Sequence, residues 1–246
     1  LCFCGQDWWY HNRAHSDFQL MTRAAKHRKV LLVNSIGMRM PMPGRSPLPF
    51  RRIWRKLKSM LRHTRRPLAD TPDYTVMTPV LFPFYASKKA RDWNARSIRA
   101  QVERVARKMG MVDPHIIVTV PTAWDVAKDM QRTTLVYNRS DKHSAFGEAD
   151  QGLIAGLERE LLTKADGVLY SSRAFLESER ALTGDRAFFL DHGVDGKHFA
   201  ARPRTEVLVK QGGKRPIVGF FGGLDDYVID FDLLERLAVE RPDYTL

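Results

Sequence analysis

Two residues able to take a proton from a hydroxyl, Asp141 and His143, stand two apart in the polar loop Asn138 to Ala149, directly after the apolar run TTLVYN. General-base chemistry needs such a group within hydrogen-bond reach of the reacting hydroxyl. The same residue types also serve as solvated loop residues or helix caps, and spacing alone leaves both readings open. Farther on, Gly222 and Gly223 follow the apolar run IVGFF. A glycine pair there either makes a tight turn or lets an anionic phosphate or a sugar approach the backbone closely. Other patterns carry less. Asp230 and Asp232 spell Asp-x-Asp but sit where a helix begins, where acids act as caps and complement the helix dipole. GGK at 212–214 lacks the first glycine and the Ser or Thr of a phosphate loop. His11 and His15 share a helical face without a third ligand, and no Gly-x-Ser-x-Gly is present.

The elements that would position these residues alternate between strand and helix. LCFC opens the chain as a strand, and Ala14 to His27 reads as a helix with Phe18, Met21 and Ala25 on one side. Val30 to Ser35 is a short continuous apolar run, suited to a strand buried on both faces. The proline-rich IGMRMPMPGRSPLP is loop, YTVMTPVLFPFY is extended, and Ala90 to Met109 is a helix ended by Gly110. HIIVTVP is a strand, followed by a short helix TAWDVAKDMQ with Thr122 as its N-cap. TTLVYN, GVLYSS and AFFLDHGVD then alternate with the helices QGLIAGLERELLTKA and RAFLESERALTG. Such alternation specifies a Rossmann-like, doubly wound parallel α/β sheet, whose ligands gather beyond the carboxyl ends of the strands. The expected domains are 1–200, a connection at 201–215, and the first βα unit of a second, truncated domain at 216–246.

With 246 residues and 43% apolar content, the chain can bury a large core. No apolar run approaches a membrane span, and no signal peptide opens the chain. Cys2 and Cys4 lie on one face of one strand, cannot comfortably bridge, and read as a buried thiol pair in a reducing cytosol. The charge of +12 is concentrated: Arg51 to Arg66 holds eight Arg or Lys and no acid.

Four stretches together resemble the GT-B-fold glycosyltransferases, specifically the bacterial family-four type of exopolysaccharide and cell-envelope synthesis. They are CFCGQDWW, LVYNRSDKHSAF, ELLTKADGVLYSS with DHGVDGKHF, and IVGFFGGLDD. The resemblance implies transfer of a sugar from a nucleotide diphosphate-sugar to a glycan or lipid-linked hydroxyl, with retention and without a metal or other cofactor. It also implies that the chain is the N-terminal portion of its enzyme, inactive by itself. The implied catalytic candidates are Asp141 and His143. Gly5, Trp8, Tyr137, Asn138, Gly222 and Gly223 are the implied substrate contacts, with aromatic faces stacking on sugar rings. Two positions depart from the family pattern: Asn138 stands where the family has an Asp, and His192 where it commonly has Asn.

The basic segment, read as a helix, places Ile53, Leu57, Met60 and Leu61 on one side, with Trp54 at the edge and Arg51, Arg52, Arg55 and Lys56 elsewhere. That pattern suits peripheral contact with an anionic membrane by a cytoplasmic protein, or a solvated insertion; nucleic acid is the weakest of the three partners. Two other functions remain alongside the transferase. One is a sugar-nucleotide epimerase of the same fold, which needs no acceptor. The other is a non-catalytic basic domain that binds membrane or RNA.

Overall fold

A computed structural model describes residues 1–11, 14–36, 49–81, 87–147, 150–200, 215–222 and 229–246; the side chains of 49–53 and 56 fall outside that description. The chain divides into two compact units, Leu1–Gly193 and Val194–Leu246.

The first unit is built on eight strands: β1 (Cys2–Phe3), β2 (Val30–Val33), β3 (Thr64–Arg65), β4 (Tyr74–Met77), β5 (His115–Val118), β6 (Thr134–Arg139), β7 (Gly167–Tyr170) and β8 (Ala187–Phe189). Their order across the sheet is β3-β4-β2-β1-β5-β6-β7-β8. All neighbours pair in parallel except β3, which runs antiparallel on the edge beside β4. The chain winds outward from β1 through β2 to β4, then returns to β5 on the other side of β1. The switch in winding direction therefore falls between β1 and β5, as in a doubly wound Rossmann-like sheet.

Burial explains why these segments became parallel strands. Every residue of β2 and β4 is buried, as expected for strands covered on both faces. Alternate residues feed two cores. Phe3, Leu31, Val33 and Met77 join Ile98 and Val102 of α3 (Lys88–Lys108) on one face. Cys2, Cys4, Leu32 and Val76 join Phe18 and Met21 of α1 (Ser16–Ala24) on the other. The thiols are thus core groups, and burial pushes both well above the usual cysteine range.

Side chains start most of the helices. Ser87 caps α3, Asp150 caps α5 (Gln151–Lys164), and Ser172 caps α6 (Arg173–Thr183). Gly110 follows α3 at φ 68°, a left-handed geometry that glycine adopts without strain.

Several expectations need correction. The helix expected over 14–27 is the shorter α1. The expected helix after β5 splits into a single 3-10 turn, Pro121–Ala123, and α4 (Trp124–Ala127), and Thr122 caps neither. The basic segment is not one helix to Arg66. α2 (Pro49–Met60) ends it early, and Thr64–Arg65 turns back as β3. The reason is visible at Ser59, which is fully buried: its hydroxyl donates to Asp7 Oδ2 at 2.7 Å and lies 3.0 Å from Thr78 Oγ1. That anchor at the end of β4 leaves the following residues placed to pair with β4.

In the second unit, the expected strands at IVGFF and at the chain's end reduce to one parallel bridge, Ile217 to Thr245. The helix between them is α7 (Phe231–Glu240), and Asp230 caps it by accepting from Leu233 N at 2.9 Å. Asp-x-Asp at 230–232 is therefore a helix start. Residues 201–214 of the expected connection lie outside the described residues. Among the described residues no helix is long and apolar enough to cross a membrane.

Removing the Ser59 hydroxyl strips a buried carboxylate of a donor. Ser59→Ala should lower stability by about 2 kcal/mol, read as a shift of the urea midpoint at unchanged slope. A midpoint equal to that of the unsubstituted protein would mean that α2 is not anchored through Asp7.

Candidate functional site

Polar groups collect at the carboxyl ends of β1 and β5, where the winding direction switches. Gly5 N donates to Thr119 Oγ1 at 3.0 Å, and that hydroxyl donates to Phe3 O at 3.3 Å. Asp17, in the first turn of α1, reaches across β5. Its Oδ2 accepts from Cys4 Sγ at 3.5 Å and its Oδ1 from Asn138 Nδ2 at 3.4 Å. Gly5, Asp17 and Asn138 are all half-buried. The sequence stretches CFCG and LVYNRSD thus meet through a carboxylate that sequence reasoning did not single out.

The opposite face of β6 supplies a second cluster. Alternation places Leu135, Tyr137 and Arg139 inward together. Arg139 is 1% exposed, and each of its three guanidinium nitrogens is hydrogen-bonded within the protein. Nη1 donates to Glu158 Oε1 of α5 at 2.6 Å and to the Asp141 carbonyl at 2.6 Å. Nη2 and Nε grip Glu179 of α6 at 2.8 and 3.3 Å. The Tyr137 hydroxyl lies 3.4 Å from Nη1, and the guanidinium sits 5.4 Å from the centre of the Phe175 ring. Glu158 also accepts from Ser144, through Oγ at 2.7 Å and backbone N at 3.3 Å. One buried cation therefore fixes the 140–145 loop at both of its ends.

The two proton-acceptor candidates differ in setting. Asp141 is exposed; its backbone is held by Arg139, and its carboxylate accepts from the neighbouring Ser140 Oγ at 3.2 Å. His143 is 7% exposed, with its ring 5.3 Å from that of Phe146 and Nδ1 turned inward, 3.9 Å from Glu158 Oε1. Burial holds the imidazole below its ordinary 6.5, and the nearby Asp141 and Glu158 carboxylates offset this only in part. The ring is therefore neutral at pH 7 and able to accept a proton, and its Nδ1 is buried without a hydrogen-bond partner.

Two expected contacts are corrected. Trp8 is a core residue, its ring centroid 5.1 Å from both Phe18 and Tyr74, and its backbone N donates to the buried Asn34. It offers no face to a sugar. Trp9 is the rim residue of the pair, bonded to Thr78 Oγ1 and covered by Arg62. Tyr137 is fully buried, and burial pushes its hydroxyl far above the usual phenol range, so it packs beneath the loop instead of lining the crevice. His192 is exposed. His11 sets its Nδ1 against Asp7 N at 3.0 Å. Gly222 belongs to the second unit, where an added Cβ would come within 3.1 Å of the Phe220 ring. Gly223 lies outside the described residues. Trp54 and Arg55 are exposed on α2, and Arg51, Arg52 and Lys56 lie on it with side chains outside the description. Among the described residues no three His, Cys, Asp or Glu side chains converge as a metal site would require.

Fold and site define a doubly wound α/β unit with a half-buried carboxylate and carboxamide at its switch point. No protein-family model matches the chain, and no curated protein matches it. A solved sucrose-phosphate synthase structure from Thermosynechococcus elongatus superposes at a TM-score of 0.45 and 12% identity, covering 85% of this chain and 94% of that one.

Arg139→Met should cost about 3–5 kcal/mol, because Glu158 and Glu179 would lose the cation that compensates their burial. Adding Glu158→Gln and Glu179→Gln should recover much of the loss in urea unfolding. A loss below about 1 kcal/mol would equate the cluster with an exposed ion pair.

His143 makes a second, pH-dependent prediction. Its folded value lies below the unfolded one, so its contribution is full above 6.5 and declines as pH falls below that, where the unfolded chain gains the proton first. His143→Gln should therefore lose less stability than the unsubstituted protein between about pH 7.5 and about pH 5.5. Parallel urea midpoints for the two proteins would contradict a buried neutral imidazole.

Proposed function

We propose that this chain is the acceptor-side portion of a GT-B-type glycosyltransferase, which moves a sugar from a nucleotide diphosphate-sugar to a hydroxyl of a glycan or lipid-linked acceptor. The observation that carries the reading is the Asp17–Asn138 pair at the switch point, beside the loop that bears Asp141. A carboxylate and a carboxamide offer acceptors and donors suited to hydroxyl groups, whereas Asp17 repels a phosphate placed directly against it. This crevice therefore suits a neutral, hydroxyl-rich ligand better than the diphosphate end of a donor. The four sequence stretches support the same reading, two of them being those joined through Asp17.

In the proposed reaction the acceptor oxygen bonds to the anomeric carbon as the bond from that carbon to the diphosphate oxygen breaks. The hydroxyl proton passes to Asp141, and the nucleoside diphosphate leaves with the electron pair. Asp141 is favoured over His143 as the base because its carboxylate is open while its backbone is fixed, the arrangement a positioned proton acceptor needs. His143 then supports the loop and supplies a second, neutral acceptor. Retention, absence of a metal and a role in bacterial envelope or exopolysaccharide synthesis follow from the resemblance and belong to the same proposal. The donor is expected to be held by the segment that includes Gly222 and Gly223.

The test, made on the full-length enzyme of which this chain is the proposed acceptor-side portion, is transfer from a panel of radiolabelled nucleotide diphosphate-sugars to glycan and lipid-linked acceptors. Asp141→Ala should reduce transfer by roughly 10²–10⁴-fold with an unchanged melting temperature. Asp17→Asn should raise the KM for acceptor more than it lowers kcat. Sugar-nucleotide conversion without any acceptor would replace the proposal by an epimerase, and unaltered transfer by Asp141→Ala would remove that residue from the chemistry.

A further inference from the structure

Among its described side chains, the outward side of α2 carries an apolar stripe, which a helix on a globular surface ordinarily turns inward. Its inward side is marked by the fully buried Ser59 and by Met60, which packs on the core. Trp54 and Leu57 of α2 and Leu61, in the turn that continues it through Leu61 N to Leu57 O at 3.2 Å, recur at i, i+3 and i+7 on the other side, and are 68%, 50% and 82% exposed. Large apolar side chains aligned on a helix in water mark a surface that something covers.

Charge says what covers it. Between Asp17 and Asp70 the chain holds fourteen Lys or Arg and no acid, so the remainder of the protein is close to neutral and slightly acidic. Arg55 and Lys58 are exposed on α2 next to the apolar stripe, and Arg65 on the edge strand and Arg66 just after it are also exposed. A second copy would set cations against cations. A nucleic acid would satisfy the cations through its phosphates but leave Leu57 and Leu61 without apolar partners. The boundary layer of an anionic bilayer meets both needs. Trp and Leu side chains enter the acyl region, and Arg and Lys stems lie along apolar surface with their heads among the phosphates.

We propose that α2 docks this protein on an anionic lipid surface by inserting Trp54, Leu57 and Leu61, with Arg55 and Lys58 on the headgroups. The helix is braced for it. Ser59 ties it to Asp7 and Thr78, the Arg55 guanidinium lies 5.7 Å from the Tyr10 ring centre, and that of Arg62 lies 5.0 Å from the Trp9 ring centre. Asp7, Trp9 and Tyr10 belong to the turn that leaves the carboxyl end of β1. The lipid surface would therefore lie at the same edge of the sheet as the crevice of Gly5 and Asp17. The docking stands on these observations whether or not the chain transfers sugar.

The full chain is tested by co-sedimentation with phosphatidylcholine vesicles that contain or lack about 30% phosphatidylglycerol. Binding is expected only with the anionic lipid. Brominated acyl chains should quench tryptophan emission, and Trp54→Phe should abolish the quenching. Arg55→Gln with Lys58→Gln should weaken partitioning by about fivefold per cation removed, and Leu57→Gln with Leu61→Gln by at least as much. All five positions are exposed, and circular dichroism melts verify that the variants remain folded. The proposal is overturned by sedimentation of Leu57→Gln/Leu61→Gln equal to that of the unsubstituted protein, which would leave only diffuse charge attraction. It is equally overturned by single-stranded RNA binding that the same substitutions abolish in the absence of vesicle binding, or by a dimer that they disperse.

Discussion

A guanidinium with almost no water around it is costly, and the loop after β6 is organised by how that cost is offset. Arg139 is closed in by two carboxylates from two helices, a carbonyl, a phenol hydroxyl and an aromatic ring. A well-packed apolar side chain could match its contribution to stability. What such a side chain could not do is bind the Asp141 carbonyl while α5 and α6 are held at fixed distances from β6. The direction in which the chain leaves the sheet at Ser140 is thus set by charge-assisted bonds, which are short and directional. Glu158 extends the same constraint to Ser144, so the loop is held at both ends with Asp141 exposed between them.

The other side of the switch point follows the same logic with a carboxylate at its centre. Asp7 accepts from Ser59 of α2 and from Trp9 N in its own turn, while Asn34 joins Trp8 N to Thr78. These bonds tie the ends of β1, β2 and β4 and the end of α2 into one buried polar net. Such nets are stable only when their members are paired, and they rigidify what they join. Between the two nets, at the ends of β1, β5 and β6, stand the half-buried Gly5, Asp17 and Asn138. The residues proposed to meet a ligand are therefore flanked on both sides by hydrogen-bonded nets.

The sheet was legible in the sequence where burial is two-sided, since VLLV and GVLY admit few readings other than covered strands. Helices with a clean apolar stripe and a Ser or Asp in front, such as α3 and α5, were legible for the same reason. The buried ion cluster left a fainter trace. Arg139 continues the inward alternation of Leu135 and Tyr137, and Glu158 falls on the stripe of Ile154, Leu157, Leu161 and Leu162. Charged residues at inward positions on successive elements are readable as partners, but a charge is usually read as surface. Trp8 misled because one of two adjacent tryptophans had to fill the core, and only tertiary packing against Phe18 and Tyr74 decides which. The early end of α2 depends on Ser59 meeting Asp7, 52 residues away in sequence, which no local pattern carries.

Charge is segregated along the chain in a way that ties site and surface together. Asp17 is the last acid before a stretch of 52 residues that carries only cations, and it is the acid that the fold places at the switch point. At many switch points a helix N-terminus and glycine amides draw a phosphate. Here a carboxylate occupies the first turn of α1, and His15 before it makes no side-chain cap. In the proposed reading such a crevice favours hydroxyls over anions, and α2 favours an anionic lipid surface. If both selections act on one ligand, that ligand carries hydroxyls on a headgroup above an anionic lipid surface. The turn from Asp7 to Tyr10 touches both places, so a rigid connection already exists between the surface that would set the height of the protein over a bilayer and the crevice that would receive the sugar.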